Sequence, residues 1–103
     1  MHSINKGGNI MIERYIICQE MLDKMRHMAD LIERKPFNNH AELLQTILQR
    51  IEECSGELHY YSALADAGTP HPWFEMLETK IAGYYHGLLQ HLEDNGLVEY
   101  MVV

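Results

Sequence analysis

Histidine and tyrosine are concentrated between His59 and His91, in the segment HYYSALADAGTPHPWFEMLETKIAGYYHGLLQH. This third of the chain holds four of the seven histidines, four of the six tyrosines and the only tryptophan, Trp73. Such side chains bind metals, transfer protons or pack at protein interfaces. Their spacing, and the elements that carry them, decide which of these chemistries the segment supports.

Metal binding by a single helix requires two ligands about one turn apart on the same face. The sequence contains no Glu-x-x-His, HExxH or His-x-x-x-His. The nearest patterns pair Asp23 with His27 and His71 with Glu75, and surface pairs explain such spacings more often. We therefore predict no metal site and no cofactor. The alternative is a metal or ligand sensor that uses a set of histidines: His27, His59, His71, His86 or His91.

Nucleophilic catalysis has little support in the sequence. The two cysteines, Cys18 and Cys54, fall on apolar helix positions and form no CxxC motif. There is no GxSxG elbow, and no glycine-rich phosphate loop follows a strand. We expect two small buried thiols, no catalytic residues and a protein that is not an enzyme.

Three apolar seams repeat in alternating steps of three and four residues, which is typical of packed helices. They predict helices near residues 10–34, 39–67 and 70–95. Asn39, with Glu42 three residues later, predicts a capping box; Gly68 predicts a helix end; Thr69 or His71 is the expected next N-cap. The seam positions are Met11, Tyr15, Cys18, Leu22, Met25, Ala29 and Ile32; Leu44, Ile47, Ile51, Cys54, Leu58, Tyr61 and Ala65; and Phe74, Leu77, Ile81, Tyr85, Leu88 and Leu92.

The predicted architecture is an all-α, elongated, antiparallel three-helix bundle. Residues 1–9 are expected to form a flexible arm, and residues 10–103 a single helical domain. The apolar faces of the first and third helices are wide, so we expect a homodimer to complete the core through one of them. Residues 97–103, LVEYMVV, predict an extended, strand-like tail that must cover or pair with another apolar surface.

Fifteen acidic residues against eight basic ones give a formal charge of −7. No segment clusters Lys and Arg, which argues against nucleic acid and anionic membranes as partners. No apolar run approaches the roughly 20 residues that span a bilayer, and the start of the sequence does not look like a signal peptide. We expect a cytoplasmic protein.

The third predicted helix carries Gly83 and Gly87 on its outer face. Each glycine costs about 1 kcal/mol relative to alanine, and close approach of another backbone would offset that cost. Tyr61 and Tyr85 lie on core seams, whereas Tyr60 and Tyr84 lie off them and suit an interface. The predicted protein interface comprises Tyr15, Met21, Met28, Tyr60, Trp73, Gly83, Tyr84, Gly87 and His91.

Residues 69–103, TPHPWFEMLETKIAGYYHGLLQHLEDNGLVEYMVV, together with AELLQTILQRIEE at residues 41–53, resemble TraM-type quorum-sensing antiactivators. That resemblance implies a helical dimer that binds a LuxR-type transcription activator and keeps it from DNA. Trp73 and the paired tyrosines depart from the family pattern, so no functional residue is carried over.

We therefore expect a small regulatory protein that binds and inhibits a transcription activator. A type III secretion chaperone or a toxin-immunity adaptor belongs to the same class of protein-binding proteins, and the sequence does not separate them. The histidine-based sensor is the alternative from another class.

Overall fold

The computed structural model describes residues 10–103, so the predicted arm at residues 1–9 lies outside the described part. Four α-helices and a closing turn of 3-10 helix make up this part. No strand occurs within it, and the predicted all-α class is confirmed. The bundle measures 55 × 22 × 20 Å, as expected for long rods packed side by side. The elements are α1 (Ile10–Arg34), α2 (His40–Tyr60), α3 (Ser62–Asp66), α4 (Pro72–Asp94) and the 3-10 turn Val98–Tyr100.

The long helices α1, α2 and α4 alternate in direction. Along α4, Lys80 contacts Glu57, and Tyr84, one turn later, contacts Arg50. The partners on α2 thus run backwards as α4 runs forwards, so these two helices are antiparallel. The short connection between α1 and α2 makes that pair antiparallel as well, and α1 and α4 therefore run in the same direction.

A bidentate salt bridge joins the N-terminal parts of α1 and α4. The guanidinium of Arg14 donates two hydrogen bonds to the carboxylate of Glu78, from Nε at 2.9 Å and from Nη2 at 2.7 Å. The same guanidinium carbon lies 5.4 Å from the ring centroid of Phe74. A bidentate pair that also stacks on an aromatic ring fixes geometry better than a simple surface ion pair.

The core consists mainly of the predicted seams, to which Met28 and Tyr100 add two buried side chains. All six seam positions of α4 are buried, and on α1 and α2 only Tyr15 and Leu44 are partly exposed. Each fully buried Leu, Ile, Phe or Met side chain contributes about 1.5–3 kcal/mol relative to an exposed one. The three- and four-residue repeat therefore identifies the residues that hold the bundle together.

The second predicted helix is interrupted at Tyr61, which separates α2 from α3. The amide of Tyr61 donates to the carbonyl of Leu58, three residues earlier, at 3.0 Å. In an α-helix the acceptor would lie four residues earlier, so the backbone makes a 3-10-type turn at this point. The Tyr61 ring packs against Phe74 at 5.8 Å between centroids. Both Tyr61 and Ala65 stay buried, so the seam continues across the break although the helix does not.

The predicted capping box at the start of α2 is wrong. Asn39 adopts a left-handed conformation, with φ 64°, and its side chain makes no capping hydrogen bond. Asparagine tolerates this conformation better than most residues. Asn39 therefore allows the chain to turn between α1 and α2, and its side chain does not cap α2. The ring Nδ1 of His40 instead lies 3.0 Å from the carbonyl oxygen of Phe37.

The predicted helix end at Gly68 and one of the two predicted caps of α4 are confirmed. Gly68 has φ 71° and Gly96 has φ 70°, and each allows the following amide to bond back to the last turn of the preceding helix. Of the two candidate caps for α4, His71 is the one used: its Nδ1 accepts a 3.1 Å hydrogen bond from the Trp73 amide. Pro72 then occupies the first helical position, where its missing N–H costs nothing.

The closing segment folds onto the bundle instead of forming a strand. Val98–Tyr100 make a 3-10 turn, and the backbone becomes extended at Met101. The buried Tyr100 donates a 2.6 Å hydrogen bond to the carbonyl of Lys35, just beyond the end of α1, and its ring packs 5.2 Å from Phe37. Tyr85 donates to the carbonyl of Val102 at 3.0 Å. The closing residues thus cover one end of the core.

Candidate protein-binding groove

A concave surface runs between α2 and α4. We call it the α2–α4 groove and divide it at the contacts of Lys80 and Arg50, which cross from one helix to the other. The Trp73 end is lined by Glu57, Tyr61, Trp73, Met76, Leu77 and Lys80. The His91 end is lined by residues that include Leu43, Thr46, Tyr84, Gly87 and His91.

The Trp73 end is apolar, open and about 420 Å³ in volume. Trp73 and Met76 stand on its α4 side with 67% and 69% of their surfaces exposed. Tyr60 is 77% exposed beside it. Large side chains of these types, exposed together, are typical of protein-binding surfaces.

A set of ring contacts supports these exposed side chains. The Tyr60 ring meets the buried Tyr61 ring edge to face at 5.2 Å, and Tyr61 in turn lies 5.5 Å from His71. The His71 ring contacts Trp73 at 6.2 Å. Because His71 also caps α4, the rings that carry the exposed surface are fixed by the fold of the α3–α4 connection.

Two cationic side chains cross the middle of the groove. Lys80 lies 3.0 Å from Glu57 and 3.6 Å from Glu53, and the hydrogen bond with Glu57 raises the pKa of Lys80 above its ordinary value. The guanidinium carbon of Arg50 lies 4.4 Å from the ring centroid of Tyr84. The basic groups near the groove are therefore already engaged with groove residues.

The His91 end is smaller and continues toward the end of α4. Its inner part is a cavity of about 230 Å³. An adjoining open cavity of about 680 Å³ extends past His91 to Asn95 and Leu97. Gly87 lies in the inner part, and a Cβ placed there would meet no atom within 4 Å. The missing side chain therefore keeps this part of the groove open.

The structure brings several predicted interface residues together. Trp73, Tyr84, Gly87 and His91 line the groove, and Tyr60 lies beside its Trp73 end. Gly83 is exposed on α4, and a Cβ there also meets nothing within 4 Å. No backbone of the described chain approaches either glycine closely, so only another molecule would supply the predicted close approach.

The three predicted interface residues on α1 lie elsewhere. Met28 is 0% exposed inside the bundle, which makes its assignment to an interface wrong. Met21 is partly buried against the core. Tyr15 is partly exposed beside His59, on the side of α2 that faces α1. The wide apolar face of α1 is thus used largely within the chain.

Met76, Lys80 and Glu57 are groove residues that the sequence analysis missed. Met76 lies off the α4 seam, and a large apolar residue off the seam is a signal that the sequence offers. The bridge from Lys80 to Glu57 depends on how α2 and α4 are aligned, which no local pattern in the sequence gives.

The reactive side chains of the described residues form no obvious reaction centre. Residues 10–103 contain no group of three or more His, Cys, Asp or Glu side chains placed to hold a metal ion. Cys18 and Cys54 are buried free thiols. Burial raises the pKa of Cys18 to about 11 and also raises that of Cys54, which disfavours the nucleophilic thiolate in both.

Comparison of the chain with protein-family models, with curated proteins and with solved structures finds no match. The resemblance to TraM-type antiactivators therefore stays a prediction. Within residues 10–103, no helix combines the length and apolar character that crossing a membrane requires.

Proposed function

We propose that the protein is a small regulatory protein that acts by binding another protein and not by catalysis. The observation that carries this proposal is the pair Trp73 and Met76, which stand exposed on one wall of a preformed apolar groove. Water contact with such side chains is unfavourable, and a bound partner would remove it. The ring contacts that hold Trp73 reduce the ordering cost of binding.

The specific activity proposed is inhibition of a transcription activator of the LuxR type, which the resemblance to TraM-type proteins implies. The proposed site of action is the cytoplasm. Two buried free thiols are consistent with a reducing compartment. The net charge of −7 opposes direct binding to DNA, so inhibition would proceed by sequestering the activator. A homodimer is part of the same proposal.

Affinity capture from native cell extract, followed by a DNA-binding assay on the captured protein, tests this function. We expect the captured partner to be a DNA-binding activator that leaves its DNA site when a stoichiometric amount of the protein is added. The control is protein denatured and immobilised in the same way, which should recover no specific partner.

Other outcomes would contradict the antiactivator proposal. A captured activator that still binds DNA would show that the protein does not inhibit it in this way. Capture of a secreted effector or of a toxin would instead favour a chaperone or an immunity adaptor. Metal bound to protein that was purified without a histidine tag would favour the alternative function, a histidine-based metal sensor.

A further inference from the structure

We propose that His71 is a pH-sensitive cap, which holds the first turn of α4 while its imidazole is neutral and releases that turn when the imidazole is protonated. The inference concerns the fold and does not depend on the proposed function. It follows from the hydrogen bond that the ring accepts, from the rings packed against it and from its place at the start of α4.

The amides of the first turn of α4 are bound by His71. The N–H of Trp73 donates to the ring Nδ1 at 3.1 Å. The N–H groups of Phe74 and Glu75 donate to the carbonyl oxygen of His71 at 3.0 and 3.4 Å. Pro72, the first helical residue, has no N–H to bind. The imidazole therefore supplies the acceptor for the amide that the His71 carbonyl does not bind.

This cap requires the neutral form of the ring. A backbone N–H can only donate, so Nδ1 must keep its lone pair, as it does in the tautomer that carries the proton on Nε2. Protonation of Nδ1 places two donors face to face, and the hydrogen bond is lost. The added positive charge also lies at a helix N-terminus, where the macrodipole is unfavourable to cations. Histidine gains its charge as the pH falls from about 8 to about 5, so acid removes the cap within this range.

The neighbouring titratable groups belong to other classes. The ring of Tyr61, at the break between α2 and α3, lies 5.5 Å from His71, and Tyr60 packs on Tyr61. The exposed carboxylates nearest in sequence are those of Asp66 in α3 and Glu75 in α4. Carboxyl groups ordinarily titrate below this pH range and phenols above it. Histidine is therefore the group that changes charge at this junction between about pH 5 and 8.

Release of the cap affects the Trp73 end of the groove. Trp73 is 67% exposed, and its ring contacts that of His71 at 6.2 Å, so cap and ring contact together restrain it. Phe74, next in the chain, is 1% exposed and stays anchored in the core. Loss of the cap consequently loosens the start of α4 without removing the helix from the bundle. Acid makes the support of Trp73 mobile.

Time-resolved fluorescence anisotropy of Trp73 tests this inference directly, because Trp73 is the only tryptophan of the chain. The method separates local motion of the ring from quenching by a nearby imidazolium. In the isolated wild type we expect the amplitude of fast local motion to rise as the pH falls from about 8 to about 5.5.

Three variants identify the group responsible. His71→Asn keeps an N-cap acceptor that does not titrate, so the motion should stay small at both pH values. His71→Phe keeps a ring but no acceptor, and its motion should be large at both. His27→Gln removes an exposed histidine from α1 and should respond to acid as the wild type does.

Thermal melts of the same proteins give a second readout. Between about pH 8 and about pH 5.5, the thermal midpoint of the wild type should fall by about 3–6 °C more than that of His71→Asn. No acid-induced motion of Trp73 in the wild type, or equal responses of the wild type and His71→Asn, would overturn the inference. Both assays use the isolated protein, so their failure is distinct from failure of the proposed function.

Discussion

The buried thiol of Cys18 links the stability of the fold to pH. Burial raises its pKa from 9.0 to about 11, with a further contribution from the charge of Glu78. In the unfolded chain the thiol is exposed and ionises near its ordinary pKa. Between these two values the unfolded state has lost the proton while the folded state retains it, so rising pH favours unfolding.

We expect the free energy of unfolding to fall as the pH rises from about 9 to about 11, by up to about 3 kcal/mol from Cys18. Below this range both states keep the proton and the stabilisation is fully present. Denaturant titrations of the wild type and of Cys18→Ala across this range measure the difference. Equal pH dependence in the two proteins would contradict a raised pKa at Cys18.

The hydroxyl of Tyr100 stabilises the junction between the closing turn and the end of α1. It donates to the carbonyl of Lys35, which has no intrahelical partner at the helix end. We expect Tyr100→Phe to lower the free energy of unfolding by about 1 kcal/mol, since a part-buried carbonyl loses its donor. The control Tyr60→Phe alters an exposed ring and should change stability by less than about 0.5 kcal/mol. Similar losses in both variants would count against the Tyr100 contact.

At the scale of the element, the periodic spacing of apolar residues predicts most of the bundle. The seam from Phe74 to Leu92 is fully buried because a helix repeats every 3.6 residues and one face must meet the core. The break at Tyr61 was not predictable in this way, since the seam runs through it unchanged. The Asn39 prediction failed because a left-handed residue places its side chain where it cannot cap.

The same reasoning explains why the groove was only partly predicted. Trp73, Tyr84, Gly87 and His91 were recognised by residue type, and the fold places all four along one groove. Met28 was misassigned because an apolar residue beside the seam can be buried by a second neighbouring helix. Periodicity within one helix does not give the distance between two helices.

Gly87 provides a test of whether the groove is open in the unbound protein. No atom of the chain would meet a Cβ at Gly87 or at the exposed Gly56 of α2. We expect Gly87→Leu and Gly56→Leu each to raise the thermal midpoint, because leucine is the better helix former by most of about 1 kcal/mol. A backbone packed on Gly87 would reverse the sign, since overpacking costs about 1–3 kcal/mol.

Partner capture separates the roles of these two glycines. We expect Gly87→Leu to reduce recovery of the partner, because its side chain enters the groove, whereas Gly56→Leu should recover the partner as the wild type does. A lower thermal midpoint for Gly87→Leu alone would contradict an open groove. Unchanged recovery by Gly87→Leu would remove the His91 end from the binding surface.

At the scale of the whole molecule, a second surface with exposed apolar side chains lies on α1, apart from the α2–α4 groove. Ile10 and Ile17 are 58% and 52% exposed and lie seven residues apart on one side of α1. Because α1 has nearly balanced charge, two copies can meet there with little repulsion. This surface suits the predicted dimer.

Sedimentation equilibrium at tens of micromolar tests this arrangement. We expect a dimer for the wild type and a monomer for Ile17→Glu, because the variant buries a charge at the contact. Leu48→Glu adds the same charge away from α1 and should remain dimeric. A wild type that is only monomeric would contradict the dimer, and a dimeric Ile17→Glu would exclude this side of α1.

The affinity of the captured partner for the wild type, Met76→Glu and Leu48→Glu tests the central claim most directly. Calorimetric titration of the purified partner into each protein gives the three dissociation constants under one set of conditions. The proposed binding surface predicts that Met76→Glu weakens the complex about tenfold or more. Leu48→Glu should bind as the wild type does. Equal affinity for all three proteins would contradict binding through the α2–α4 groove.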